Sequence, residues 1–115
     1  MTNDPLVFIK HMIQNIENIE LFSAKITKED FLKDKLKQYA IVRAIEIIGE
    51  AAKNLPQPFK NSHPQVNWKD IIGTRDRIIH HYFGVDLDIV WEIIIKYIPD
   101  LKKKLLYIIS QESNK

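Results

Sequence analysis

The sequence predicts an all-α protein, an up-down bundle of four or five helices. Three observations carry that reading. Apolar residues recur at three- and four-residue spacing through most of the chain, the signature of one helical face. No stretch alternates apolar and polar residues between turn signals, as a strand would. The helix breakers are confined: glycine occurs only at 49, 73 and 84, and three of the five prolines (Pro56, Pro58 and Pro64) fall in one short segment.

The elements follow in order. Asp4 is a cap and Pro5 suits a first helical position. Phe8, Ile9, Met12, Ile13, Ile16 and Ile19 then make the stripe of a first helix that fades near Ser23 to Ile26. A second helix starts at the Thr27 cap, with Glu29 and Asp30 favouring its N-terminal dipole. Phe31, Leu32, Leu36 and Tyr39 form its first stripe, and the spacing carries it without interruption to Leu55. From Ala40 onward it is apolar around most of its circumference, which marks a central helix with several neighbours. Its polar exceptions, Arg43, Glu46, Glu50 and Lys53, fall in one line. Residues 56–67 read as a loop with room for one short helical turn. Asn67 caps a third helix that Gly84 stops. Asp86 caps a fourth, whose stripe runs through Leu87, Trp91, Ile94, Ile98, Leu101, Leu105 and Ile108, with a kink or break expected at Pro99.

Composition narrows the function classes. A chain of 115 residues supports one hydrophobic core, so residues 1–115 read as one helical domain. The absence of cysteine excludes a disulfide framework and a cysteine-based zinc site. Asp4, Lys10 and His11 interrupt the N-terminal segment, which therefore lacks a signal peptide's apolar run. No stretch approaches the roughly 18 apolar residues of a membrane span. A cytoplasmic protein with no membrane partner is expected. The net charge of +2 does not advertise nucleic-acid binding, although a single RNA site needs only a local basic patch.

The third helix carries the unusual chemistry. On a helical wheel, Trp68, Ile71, Ile72, Ile78, Ile79 and Tyr82 fall within about 60° of Arg75. Arg75 thus reads as a guanidinium in an apolar stripe. It needs a carboxylate, an anion or a water-filled cleft, because a buried unpaired charge is costly. Glu46 and Glu50 on the second helix are the candidate partners, and structural glue is the plain alternative to a functional role. His80 lies about 140° around the helix and about 7.5 Å along its axis from Arg75, within reach of a shared phosphate. Asp76, four residues before His80, shares its face and would favour an imidazolium. Gly73 lies on that face too, leaving a gap for another backbone or a second copy of the helix. His81 has a simpler role as a cation near a helix C-terminus. His11 and His63 read as surface residues. No histidine spacing suggests a metal, and no cofactor is expected.

The stretch Arg75-Asp-Arg-Ile-Ile-His80-His-Tyr82 resembles the R-x-x-x-x-H-x-Y motif of HepT-like toxins of the HEPN superfamily. The likeness extends to residues 43–56 and 68–94, and in all to about 31–105. The resemblance implies metal-independent RNA cleavage by a homodimer whose two motifs face a shared cleft. It also implies toxin–antitoxin pairing with an MntA-like nucleotidyltransferase. Such antitoxins transfer AMP to a tyrosine in or beside the motif, and the matching residue is Tyr82. One departure is Asp76, where the family most often has asparagine.

In this reading His80 is the general base or acid, with a side chain that titrates near operating pH. Arg75 clamps the phosphate with its planar fork. Each chain supplies one motif histidine, and a two-fold dimer would bring together the two that acid and base steps require. Lys69 and Arg77 are candidates to steer the RNA backbone, whether mRNA or tRNA. The Lys102–Lys104 cluster reads better as a solvated face. Two rivals remain: a non-catalytic nucleotide-binding partner of a nucleotidyltransferase, and a purely structural helical dimer.

Overall fold

The computed structural model describes residues 4–78 and 84–115. All the regular elements among them are helical: four long helical stretches and two short helices. Helix α1 spans Pro5–Ser23. The Asp4 carboxylate accepts from the Leu6 N–H at 2.9 Å, and Pro5 needs no partner at the first position. Ile9, Met12, Ile13, Ile16 and Ile19 are buried, as their spacing predicts. Past Ser23 the chain turns through Lys25 in the left-handed region, at φ 62°.

The expected unbroken helix from Thr27 to Leu55 is in fact two. Helix α2 covers Lys28–Lys33 and α3 covers Lys35–Asn54. Asp34 separates them. Its backbone is extended, and its carboxylate accepts from the Lys37 N–H at 3.0 Å as the cap of α3. Thr27 and Asp30 form a reciprocal capping box on α2, with both bonds at 3.1 Å. The break resets the helical phase, so the expected stripe does not stay together. Phe31 is fully buried against Trp91, whereas Leu32, Leu36 and Tyr39 point to solvent.

Helix α3 is central, as its apolar circumference predicts. It packs on α1 along one side and on α5 along the other. A short helix α4 (Gln57–Ser62) occupies the expected loop. Helix α5 is described over Trp68–Ile78, and Asn67 caps it by accepting from the Asp70 N–H at 3.0 Å. Gly84 has φ +129°, open to glycine and strained for other residues. The helix end that it was expected to set lies outside the described residues.

The C-terminal rod contains α6 (Leu87–Glu92), a π-helical turn (Ile93–Tyr97) and α7 (Ile98–Ser113). Asp86 caps it at Ile89, as predicted. Helical residues run continuously past Pro99; the irregularity is the widened turn just before it. Ile98 N–H bonds to Ile93 C=O, five residues back. That turn lies where the proline ring and its missing N–H would disturb a regular helix.

His63 corrects a second expectation. It is buried, not on the surface. Its Nε2 lies 2.7 Å from Glu112 Oε2, and its ring packs at a tilt against Phe59, with centroids 4.7 Å apart. The Trp68 indole N–H is shared by the carbonyls of Lys60 and His63, both at 3.1 Å. The start of α5 is thereby tied to the end of α7.

His63→Ala is expected to destabilise the fold by about 1–3 kcal/mol, measured by urea denaturation, since it empties a buried ring site and removes the inner partner of Glu112. The hydrogen bond to His63, and then Lys115, hold the Glu112 carboxyl below its ordinary value of 4.5. A lowered carboxylate contributes stability that is present above pH 4.5 and is lost as pH falls through its folded value. Glu112→Gln should therefore flatten the acid limb of a stability–pH profile.

Candidate active site

The site begins with a close approach between two helices. A Cβ added at Gly49 would lie 3.2 Å from the Ile71 carbonyl oxygen and 3.8 Å from that of Ile72. Glycine at this point lets the backbone of α5 rest against α3. Three residues before Gly49 stands Glu46, and four residues after Ile71 stands Arg75. The helix pair brings them together: Arg75 Nε donates to Glu46 Oε2 at 3.2 Å.

Arg75 is not buried, contrary to the expectation from the wheel. The covered face of α5 runs through Trp68, Ile71, Thr74 and Ile78. Arg75 lies at its α3 edge, with its side chain 61% exposed. Its compensation is therefore one carboxylate together with water. Glu46 is that carboxylate, and Glu50 is exposed beyond it. The bond uses Nε, so both terminal nitrogens of the guanidinium remain available as donors.

Asp76 is exposed, and a Cβ added at Gly73 would meet nothing within 4 Å. The gap expected on this face is present. His80, His81 and Tyr82 lie outside the described residues. They are preceded by Ile78, whose carbonyl accepts from the Asp86 N–H at 2.6 Å, so the flanking segments are joined.

A second cluster, not foreseen as a whole, occupies the opposite edge of α5. Arg77 Nη1 lies 3.3 Å from Asp70 Oδ1, and its Nη2 donates to Thr74 Oγ1 at 3.2 Å. Tyr97, half-buried on the π turn, stands near the same Asp70 carboxylate. Burial, and then the negative charge of Asp70, raise the Tyr97 hydroxyl well above the ordinary phenol range, so it stays protonated. The spacing of Asp70, Thr74 and Arg77 is helical and could have signalled their contact. Tyr97 could not be placed without the tertiary packing.

The other polar candidates resolve simply. Lys102 pairs with Glu20 at 2.8 Å and Lys104 with Asp100 at 3.0 Å, a solvated ion-paired face. His11 is exposed. Among the described residues, no three of His, Cys, Asp and Glu are grouped to hold a metal. Nor is any helix among them long and apolar enough to cross a membrane.

Comparison with known proteins decides the family. The family model described as "Ribonuclease HepT-like" matches residues 12–108. The chain belongs to the HepT-like ribonuclease family. Relatives within it include the "Probable ribonuclease HepT" of Thermococcus cleftensis, 46% identical over 97 residues, 84% of this chain and 88% of that one. The "Putative RNase TTE0752" of Caldanaerobacter subterraneus is 45% identical over 108 residues, 94% of this chain and 96% of that one. The "Putative RNase MJ0127" of Methanocaldococcus jannaschii is 43% identical over 106 residues, covering 92% and 88%. No solved structure matches the chain at a significant level. The resemblance read from residues 75–82 is thus a true kinship, and the helical bundle is that of a HepT-like ribonuclease.

Two outcomes follow from the packing. Gly49→Val should cost about 1–3 kcal/mol in urea denaturation, because a branched side chain would push into the α5 carbonyls. Glu46→Ala should change stability by no more than about 1 kcal/mol, since the Arg75 partner is exposed to water.

Proposed function

We propose that this HepT-like ribonuclease is the toxin of a toxin–antitoxin pair and cleaves RNA, mRNA or tRNA, without a metal ion at a cleft between two copies of the chain. The observation that carries the reading is Arg75. It stands in the family motif and presents both terminal nitrogens to solvent while Glu46 fixes its Nε. A guanidinium held in this way suits a phosphate's paired oxygens.

The chemistry follows from the substrate. The RNA 2′-hydroxyl attacks the adjacent phosphorus; the P–O5′ bond breaks, leaving a 2′,3′-cyclic phosphate and a 5′-hydroxyl. A base must take the 2′ proton, and an acid must supply one to the leaving oxygen. His80 fills one role and His80 of the second copy the other. Arg75 stabilises the charge that develops on the phosphoryl oxygens. Asp76 orients His80 and favours its charged form.

The outer face of α3 supports a second copy as partner. Leu36 and Tyr39 are 78% and 77% exposed there, and Arg43, Glu46 and Glu50 continue the face toward Arg75. Large apolar groups leading to a charged site suit a self-complementary interface. The antitoxin in this reading is an MntA-like nucleotidyltransferase of the same cytoplasm. AMP on the Tyr82 hydroxyl would add bulk and negative charge beside the site and repel RNA.

Purified protein is expected to cleave single-stranded RNA in the presence of EDTA, with products ending in 2′,3′-cyclic phosphate. His80→Ala and Arg75→Ala should each reduce the rate by about 100-fold or more, with the circular dichroism spectrum unchanged. Full activity in His80→Ala, or 3′-hydroxyl products, would overturn the mechanism. Nucleotide binding with no RNA cleavage would favour the non-catalytic partner module. Leu36→Glu with Tyr39→Glu should yield monomers by sedimentation and lose activity.

A further inference from the structure

A groove of about 520 Å³ runs between the end of α5 and the π turn of the C-terminal rod. Its size lies within the roughly 300–1,000 Å³ of small-ligand sites. Its floor is apolar, from Ile89 and Ile93, with Tyr97 on one wall. Cations stand at both lips: Arg77 from α5 and Lys96 from the π turn. Glu92 and Asp100 supply acceptors beside them.

The lining is ordered rather than incidental. Asp70 and Thr74 hold two nitrogens of Arg77, and Tyr97 stands near the same Asp70. Arg77 still has donors to spare, because a guanidinium carries five N–H groups. Lys96 pairs with Glu92 at 3.4 Å in the open, a weak contact that a phosphate can displace. An apolar floor with an aromatic wall suits a base; cations at the lip suit a phosphate; carboxylates suit ribose hydroxyls and base amines.

Position joins the groove to Arg75. The two arginines are about 200° apart around α5 and so leave opposite edges of its exposed face. Gly73 lies on that face between them, and among the described residues nothing comes within 4 Å of a Cβ added there. A single strand can therefore cross α5 at backbone height with one phosphate at Arg75 and a neighbouring nucleotide in the groove. Asp76 stands midway between the two arginines on the same face, about 100° from each, and a path over Gly73 keeps the strand away from its charge.

We propose that the Arg77–Lys96–Tyr97 groove is a nucleotide subsite that binds an RNA residue flanking the bond cut at Arg75. The inference rests on the ribonuclease reading and adds a second contact for the same strand. The subsite holds substrate and takes no part in proton transfer, so its loss weakens binding and leaves the chemical step.

The test measures binding and cleavage separately. Binding uses a single-stranded RNA made uncleavable by 2′-deoxy substitution, titrated into the full-length protein at several salt concentrations. Arg77→Ala is expected to weaken that binding about tenfold and to lower the salt dependence by about one phosphate contact. KM for cleavable RNA should rise in step while kcat stays within about twofold, since only ground-state and transition-state binding alike are lost. Lys96→Glu, exposed and remote from the core, should act in the same direction and serves if Arg77→Ala does not fold. Unchanged RNA affinity in both variants, with wild-type cleavage intact, would overturn the subsite and leave the ribonuclease standing. Absence of wild-type cleavage, with RNA binding still dependent on Arg77 and Lys96, would overturn the ribonuclease reading and leave the groove as a nucleotide site. Saturation by free 5′-AMP without any effect of the variants on RNA binding would identify a separate mononucleotide site and overturn the proposal.

Discussion

The contact on which the remainder of the structure depends is the approach of α5 to α3 at Gly49. Helix axes usually lie 8–10 Å apart, set by the side chains between them. Here one helix offers no side chain and the other offers its carbonyls, at a Cβ distance of 3.2 Å. That closeness decides which residues of α5 are covered. It turns Ile71, Thr74 and Ile78 inward and leaves Arg75 and Arg77 at the two edges of an exposed strip. It also brings a glutamate of α3 within bonding distance of Arg75. The tie from Trp68 through His63 to Glu112 fixes the other end of α5, so the helix is positioned at its start and along its length.

Both arginines of the strip are partnered, yet neither is spent. Arg75 and Arg77 each meet a carboxylate at more than 3 Å on a surface that water reaches. Ion pairs of this kind contribute little to stability. Their effect is orientation: each holds one side of a planar fork and leaves the other side outward. A buried pair would have locked the charge away, and a free arginine would have cost more rotamer entropy on meeting a phosphate. The arrangement thus contributes little to folding and leaves both forks turned outward.

Much of the fold was legible because its signals are local. The Asp4, Thr27, Asn67 and Asp86 caps all form, and the apolar spacing of α1 and α3 marks their buried faces. The failures have physical causes. Asp34 reads as a tolerable helix residue, and only its competing bond to the Lys37 N–H ends α2 and resets the phase of Leu36 and Tyr39. Arg75 falls at the centre of an apolar arc on an ideal wheel because that arc includes Ile72, which is only partly buried. The true burial is shifted toward Thr74, which spends its hydroxyl on the Asp70 carbonyl at 2.6 Å. His63 meets Glu112 across 49 residues of chain, a pairing that no local pattern encodes. The Arg75 motif was readable from the sequence alone, whereas Tyr97 joined the Arg77 cluster only through tertiary packing.

The π turn explains how that last residue gets there. Val90, Ile94 and Ile98 are buried at successive intervals of four, while Leu101, Leu105 and Ile108 resume the usual mixture of three and four. On a regular α-helix these positions, with the buried Ile93, would spread over an arc of about 140°. Widening the turn at Ile93–Tyr97 shifts the phase of the residues that follow. It also spreads the side chains of that turn, placing Lys96 at the rim and Tyr97 against Asp70. Pro99 follows at the one place where a missing N–H is least costly. The irregularity in the rod and the groove beside it therefore meet at one turn.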